Sequence, residues 1–334
     1  MSGRSPNSVN VSLITTIFNE AASLPGLLAS ISRQTRPPDE IIVVDGGSTD
    51  DSLRILQEWQ VRLPLMTIIA KGANISRGRN IALERANGEI VAVTDAGTVL
   101  DDRWLEHLIR PFEDRSQGID VAAGFFVPDT QTDFEAALAA TTLPDAVEID
   151  PETFLPSSRS VAFRRSWFGA GMQYPEWLDY CEDVVFDLRM KRAGARFSFV
   201  PEATVSFRPR PDIGGFWKQY YRYARGDGKA GLFWKRHLIR YLTYLIVLPS
   251  LVLVRSPLWR LLVLAGSIAY LRRPVQRLWV RSDRSLARTV RLTPLTAFLR
   301  AAGDVAKMVG YPAGLIWRAR IYGLRRDWRS IPEE

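Results

Sequence analysis

In the first part of the chain, short continuous apolar runs alternate with segments in which apolar residues recur at helical spacing. Short runs that are almost wholly apolar and rich in β-branched residues predict five strands, at residues 9–16, 41–44, 65–70, 90–94 and 121–127. Between these runs apolar residues recur at helical spacing, as at Leu24, Leu27, Leu28 and Ile31. Strands that are apolar throughout are typical of a mostly parallel sheet with helices on both faces. The pattern therefore predicts a Rossmann-like α/β fold.

Small and acidic residues follow three of the predicted strands. Asn19 and Glu20 follow the first, Asp45 and Gly46 the second, and Asp95 the fourth. Ligands of such open sheets bind beyond the carboxyl ends of the strands. Helix capping and turn chemistry explain each of these strand ends taken alone. Three of them at one edge of the sheet indicate a ligand site.

The last third of the chain changes character. Two nearly uninterrupted apolar runs, residues 238–254 and 258–271, are separated by Arg255, Ser256 and Pro257. Each run is shorter than the roughly 20 residues of a straight spanning helix. The pattern leaves three alternatives: a helical hairpin through the bilayer, a re-entrant pair in one leaflet, or a buried soluble helix pair. Residues 295–321 form a weaker amphipathic stretch that is expected to lie along a membrane surface.

The net charge of +8 is unevenly placed. Basic residues are concentrated between Lys235 and Arg291, where Asp283 is the only acid. A segment of this kind favours an anionic surface. Its long aliphatic runs favour acidic lipids of the cytoplasmic leaflet over nucleic acid. We therefore expect membrane lipids and no nucleic acid as partners, and a protein on the cytoplasmic face of a membrane.

The remaining composition excludes two kinds of stabilising site. Cys181 is the only cysteine, so an intrachain disulfide is excluded, and the two histidines are too few for a structural zinc site. Residues 1–10 are polar and show no apolar signal region, so the sequence predicts a catalytic domain in the cytoplasm.

A series of short motifs resembles the inverting family-2 glycosyltransferases of the GT-A fold. The first strand ends in Asn19-Glu20, residues 39–50 follow with the Asp45 turn, and Arg79-Asn80 comes next. A Glu182-Asp183 pair then opens a predicted helix. The resemblance covers about residues 9–231.

This resemblance implies a division of the chain. A GT-A catalytic domain would span residues 1–231, with a nucleotide-sugar half at about 9–127 and an acceptor half at about 128–231. Residues 232–334 would then form a membrane-associated helical region. The implied partners are a nucleotide-sugar donor and a lipid-linked or saccharide acceptor.

The resemblance also implies a donor site. Some of its residues would contact the base and ribose of the donor, a glycine would let the backbone approach the donor closely, and cations would bind the diphosphate. The residues expected in this donor site are Thr16, Phe18, Glu20, Asp45, Gly46, Arg77, Arg79, Asp95, Arg222 and Arg225. For the four arginines, the alternatives are a solvated helix face or an interfacial belt. Arg222 and Arg225 are three residues apart and hence neighbours on a helix.

The metal site of the family is matched only in part. Relatives carry an Asp-x-Asp motif that binds a divalent ion, whereas this chain has Asp95 followed two residues later by Gly97. A magnesium or manganese ion (Mg2+ or Mn2+) would be held by Asp95, the donor phosphates and water, because magnesium often takes one or two carboxylates. Basic residues replacing part of its charge are the alternative.

The catalytic residues are expected at the Glu182-Asp183 pair. Asp183 matches the base that deprotonates the acceptor hydroxyl, and Glu182 would orient the acceptor. Capping of the helix is the alternative role for both. The sequence thus predicts transfer of a sugar to a hydroxyl of a lipid-linked or cell-envelope acceptor with inversion. A nucleotidyltransferase of similar fold and a non-catalytic membrane or nucleic-acid adaptor are the competing functions.

Overall fold

The computed structural model describes residues 9–323 and 325–331, which form two compact units. The first unit contains the described residues up to Val127 and Ala146–Phe207. The second contains Pro128–Asp145 and the described residues from Arg208 onward. The functional boundary predicted at residue 231 lies inside the second unit, and the assignment of the catalytic domain to residues 1–231 stays a prediction.

Strands and helices alternate in the first unit. Its eight strands are β1 (Val11–Ile17), β2 (Glu40–Asp45), β3 (Leu65–Ile69), β4 (Ile90–Val93), β5 (Thr98–Leu100), β6 (Val121–Pro128), β7 (Val161–Arg164) and β8 (Phe197–Phe207). Helices are numbered along the whole chain, and the first unit holds α1 (Leu24–Ser32), α2 (Ser52–Trp59), α3 (Ile75–Arg85), α4 (Trp104–Glu113), α6 (Ser166–Gly169) and α7 (Glu182–Arg192). The five strands predicted from apolar runs are all present.

The strands form one sheet in the order β3-β2-β1-β4-β7-β6-β8-β5. Neighbours from β3 to β4 are parallel, whereas β7 runs antiparallel to both β4 and β6, and β5 runs antiparallel to β8. The sheet is therefore mixed, and the predicted parallel arrangement holds for its first half. Strands β5 and β7 have three and four residues, which is too short to give a periodic pattern.

Both faces of the sheet are buried, which explains its apolar strands. Successive side chains of a strand point to opposite faces. Leu13 accordingly joins an apolar cluster with Leu27 and Trp104, while its neighbour Ile14 joins a second cluster with Leu83 and Phe186. Helices α1 and α4 thus cover one face and α3 and α7 the other, as expected for this class of fold.

The second unit is helical. It comprises α5 (Asp133–Thr142), α8 (Ile213–Ala230), α9 (Trp234–Leu242), α10 (Leu248–Leu253), α11 (Pro257–Arg281) and α12 (Leu286–Ile321). Helices α8 and α12 pack with their backbones close together at Gly310. A side chain added there would collide with the carbonyl oxygen of Tyr221. The predicted surface stretch, residues 295–321, belongs to α12. It buries Leu299, Ala306 and Tyr311 on one side and exposes Phe298 and Ile316, so its placement along a membrane surface stays a prediction.

The apolar runs of the last third form a pair of helices. A π-helical turn at Thr243–Val247 joins α9 to α10. Among the described residues, the resulting helix Trp234–Leu253 is the one element long and apolar enough to cross a membrane, judged by length and composition. Only 6% of its most apolar stretch is buried, whereas a core helix would be mostly buried. The second run forms the first half of α11, where Leu261, Leu262 and Leu264 are exposed.

Candidate functional site

The three strand ends predicted to form a site are neighbours in the sheet. Strand β1 lies between β2 and β4, and its register places Ile17 beside Asp45. Because the three strands are parallel, the residues that follow them lie along one edge. The predicted convergence of Asn19, Asp45 and Asp95 at this edge is therefore present in the structure.

Two of these strand ends are joined by hydrogen bonds. Asn19 adopts a left-handed conformation with φ of 56°, and its side-chain oxygen accepts the backbone N–H of Thr49 at 2.8 Å. The backbone N–H of Asn19 donates to the Ser48 hydroxyl, also at 2.8 Å. Asn tolerates this backbone region better than most residues. The Asn-Glu turn thus fixes the loop after β2 in place.

Asp45 is fully buried and organises its own loop. Its carboxylate accepts the backbone N–H groups of Gly47 and Ser48 and the Ser48 hydroxyl, the last at 2.6 Å. These bonds give Asp45 a loop-forming role. Its predicted contact to a base or ribose stays a prediction.

The remaining predicted base-pocket residues lie in β1, in the turn that follows it and directly after Asp45. Phe18 presents an exposed ring, 60% accessible, which is the kind of surface on which a base stacks. A side chain on Gly46 would approach the carbonyl oxygen of Ala73 at 3.2 Å, so glycine keeps this position open. Thr16 is half-buried, and Glu20 accepts the hydroxyl of Ser23.

Arg79 does not face solvent as a donor-binding cation would. It is 2% exposed, and its guanidinium forms ion pairs with Glu182 at 2.7 Å and with Asp95 at 2.9 Å. The same group lies over the ring of Tyr174. Arg79 therefore links the end of β4 to the start of α7, and both nitrogens that would hold a diphosphate are already bound. Its predicted diphosphate contact is corrected to this bridging role.

Arg77 has the opposite environment. Its side chain is 63% exposed and lies 3.6 Å from the carboxylate of Glu176. It remains available to an anion in the way the sequence predicts. Arg222 and Arg225 lie on α8 of the second unit and are half-buried there. Their contact with phosphate stays a prediction.

The Glu182-Asp183 pair begins α7, as predicted. Glu182 is buried against Arg79, and burial together with the Asp183 charge raises the pKa of its carboxyl. Asp183 is half-buried, and one of its oxygens lies 3.5 Å from the backbone N–H of Ser158. Arg79 thus holds Glu182, and with it the helix end that carries Asp183.

Two side chains near the site are not singled out by the sequence. Asp187 lies one turn beyond Asp183 and is buried, and burial is the main cause that raises the pKa of its carboxyl well above the usual range. Arg159 lies on the loop before β7, with its Nε 3.8 Å from Asp95 Oδ2. The i,i+4 spacing from Asp183 is the signal for Asp187. Nothing local marks Arg159.

A divalent ion is a poor fit to the residues at Asp95. One carboxylate oxygen accepts from Arg79 and the other faces Arg159, so two guanidinium groups occupy the places where an ion would lie. Within residues 9–323 and 325–331, no cluster of three or more His, Cys, Asp or Glu side chains could hold a metal. The metal role of Asp95 stays a prediction, and no catalytic step is assigned to an ion.

Comparison with known proteins finds a family model that matches the first half of the chain. Residues 12–170 match the model of Glycosyl transferase family 2. The O-antigen chain rhamnosyltransferase of Salmonella typhimurium is 23% identical, in an alignment that covers 61% of this chain and 69% of the relative. The glycosyltransferase AglE of Haloferax volcanii is also 23% identical, over 65% of this chain and 72% of the relative.

Solved structures share the fold. TarS 1–349 of S. aureus superposes with a TM-score of 0.50 at 19% identity, covering 94% of this chain and 92% of that one. A mannosyltransferase of Pyrobaculum calidifontis, solved in complex with GDP-Man and Mn2+, gives 0.53 at 17% identity, covering 93% and 91%. These similarities confirm the predicted GT-A-type fold.

Proposed function

We propose that this chain transfers a sugar from a nucleotide-sugar donor to a hydroxyl of a lipid-linked or cell-envelope acceptor, with inversion, because residues 12–170 match the model of Glycosyl transferase family 2. The observation that carries the proposal is the buried bridge from Asp95 through Arg79 to Glu182. It ties the end of β4, at the sheet edge where the proposed donor would bind, to the helix start that carries Asp183. The O-antigen chain rhamnosyltransferase is the relative that supports an envelope acceptor.

Asp183 acts as the general base in this proposal. Its carboxylate takes the proton of the acceptor hydroxyl while the hydroxyl oxygen attacks the anomeric carbon. The new carbon–oxygen bond forms as the bond to the donor diphosphate breaks, and the nucleoside diphosphate leaves with the electron pair. Attack from the face opposite the leaving group inverts the anomeric configuration. Glu182 orients α7 and the acceptor through its ion pair with Arg79.

Product analysis tests the proposed reaction. The purified protein is incubated with a panel of nucleotide sugars and with membrane extract as a source of acceptor. We expect release of nucleoside diphosphate and an anomeric configuration in the product opposite to that of the donor. Release of pyrophosphate would instead identify a nucleotidyltransferase. Retention of configuration would contradict direct attack by the acceptor.

We further propose that α9, α10 and the first half of α11 attach the protein to the cytoplasmic face of a membrane. Leu245, Ile246 and Leu261 are among the exposed apolar side chains of these helices. The chain carries no acidic residue between Asp227 and Asp283, so the basic residues around the apolar runs fit anionic headgroups. Together these features support membrane attachment.

Flotation with vesicles tests the attachment. We expect the full-length protein to float with vesicles that contain phosphatidylglycerol, and less with pure phosphatidylcholine, because the basic residues add attraction to anionic lipid. A double variant, Leu245→Asp with Leu261→Asp, should remain in the soluble fraction. Recovery of the unaltered protein wholly in the soluble fraction, with both vesicle types and after alkaline carbonate extraction of cells, would contradict the proposal.

A further inference from the structure

Gly97 takes the place of the second acid of an Asp-x-Asp motif, and Arg159 lies beside Asp95, the acid that remains. Asp95 has Arg79 on one oxygen, at 2.9 Å, and Arg159 near the other, at 3.8 Å. The two guanidinium groups differ in exposure, since Arg79 is 2% exposed and Arg159 is 22% exposed. Arg79 thus lies on the buried side of Asp95, and Arg159 on the side that a ligand from solvent reaches.

The backbone of the Arg159 loop is held from several strands. The carbonyl oxygen of Arg159 accepts the Thr94 hydroxyl at 2.9 Å, at the end of β4. The next residue, Ser160, accepts the backbone N–H of Gly124 in β6 with its carbonyl, and its hydroxyl donates to the carbonyl of Ala203 in β8 at 2.8 Å. A loop fixed at three strands presents its side chain at a defined place, without ordering on binding.

Aromatic rings hold the guanidinium itself. The Cζ atom of Arg159 lies 4.5 Å from the ring centroid of Phe207 and 5.7 Å from that of Phe126. Stacking on a ring fixes the plane of the guanidinium group, and its N–H donors lie in that plane. One of these donors, on Nη1, contacts the Ser157 hydroxyl at 3.2 Å. A planar, oriented guanidinium is suited to bind two phosphate oxygens together.

We propose that Arg159 supplies the positive charge that binds and neutralises the donor diphosphate, in the place where other members of the family use a divalent ion. The inference rests on the proposed function. A metal ion approaching Asp95 would meet a fixed cation and be repelled, whereas a diphosphate at the same place gains that cation. Donor binding by this chain is therefore independent of Mg2+ and Mn2+.

Calorimetric titration with UDP and with GDP tests this inference on the full-length protein. In a chelator and in excess magnesium or manganese, we expect the same affinity for the nucleotide that binds. Arg159→Gln should weaken binding about tenfold or more, the usual magnitude for losing a hydrogen bond to a charged group. Arg159→Lys should weaken nucleotide binding less, because it keeps the positive charge and loses only the planar fork of donors. Arg62→Gln is the matched control, since Arg62 is also an arginine over a ring, that of Trp59, and is exposed.

A gain of metal dependence provides the second readout. A side chain built at Gly97 meets nothing within 4 Å, and its φ lies outside the left-handed region, so Gly97→Asp is accommodated. In the Arg159→Gln background, Gly97→Asp restores the acid pair without the competing cation. We expect magnesium or manganese to tighten nucleotide binding by this double variant and not by the unaltered protein.

Failure of this inference and failure of the proposed function give different results. Tighter nucleotide binding by the unaltered protein when metal is added would overturn the inference, as would unchanged affinity in a folded Arg159→Gln variant. Thermal unfolding of each variant establishes that it is folded. Failure of the unaltered protein to bind the nucleoside diphosphate of any nucleotide sugar in the panel, with or without metal, would overturn the proposed function itself.

Discussion

Asp183→Asn should lower the rate of sugar transfer by about three orders of magnitude, within the range for loss of a general base. The amide is nearly the same size as the carboxylate but cannot accept the proton of the acceptor hydroxyl. Donor affinity should be nearly unchanged, because the base acts on the acceptor rather than on the nucleotide. Transfer is measured with saturating donor and acceptor, and donor affinity by calorimetry.

Asp187→Asn is the matched control on the same helix. Asp187 lies one turn beyond Asp183 and is buried, and burial, the main cause that raises the pKa of its carboxyl, disfavours the charge that the amide removes. We expect this variant to keep most of the transfer activity. Comparable losses in the two variants would mean that α7 is perturbed as a whole. Retention of most activity by Asp183→Asn would exclude Asp183 as the base.

The part of the site carried by wholly apolar strands is predictable from the sequence. The runs that form β1, β2 and β4 are recognisable because they are uninterrupted by charged residues, and parallel strands bring their ends to one edge. The residues that follow them, Asn19, Asp45 and Asp95, were therefore predictable as neighbours. The start of α7 was recognisable because its acidic pair opens a regular helical pattern.

The environments of two arginines could not be predicted in this way. Arg79 lies in a short helix where a charged residue is usually solvated, and its burial depends on Asp95 and Glu182, which are 16 and 103 residues distant. Arg159 lies in an irregular loop whose position is set by hydrogen bonds to strands far away in sequence. Periodicity carries no information about such long-range polar contacts, so the sequence alone does not distinguish an arginine that bridges two buried carboxylates from one that faces a ligand.

Arg79→Met should be the most destabilising substitution near the site. The change leaves Glu182 and Asp95 without their shared cation. Breaking a buried ion pair by removing one partner costs about 3–5 kcal/mol, because a charge stays buried and uncompensated. The free energy of unfolding, or the melting temperature where unfolding is not two-state, measures the loss. Arg77→Met is the matched control two residues earlier on the same helix, and we expect it to cost about 0–1 kcal/mol because its ion pair is exposed.

The pH dependence of this loss identifies its cause. Burial and the Asp183 charge already raise the pKa of Glu182, and removal of Arg79 takes away the attraction that opposes this rise. A carboxyl with a raised folded-state pKa contributes its stability at low pH and loses it as the pH increases through that pKa. The deficit of Arg79→Met should therefore be smaller at acidic pH and grow towards neutral pH. Adding Glu182→Gln to Arg79→Met should recover part of the stability at neutral pH, because the stranded charge is removed. A deficit that is the same at every pH and unchanged by Glu182→Gln would mean that Arg79 stabilises the fold by packing against Tyr174 rather than by holding the two carboxylates.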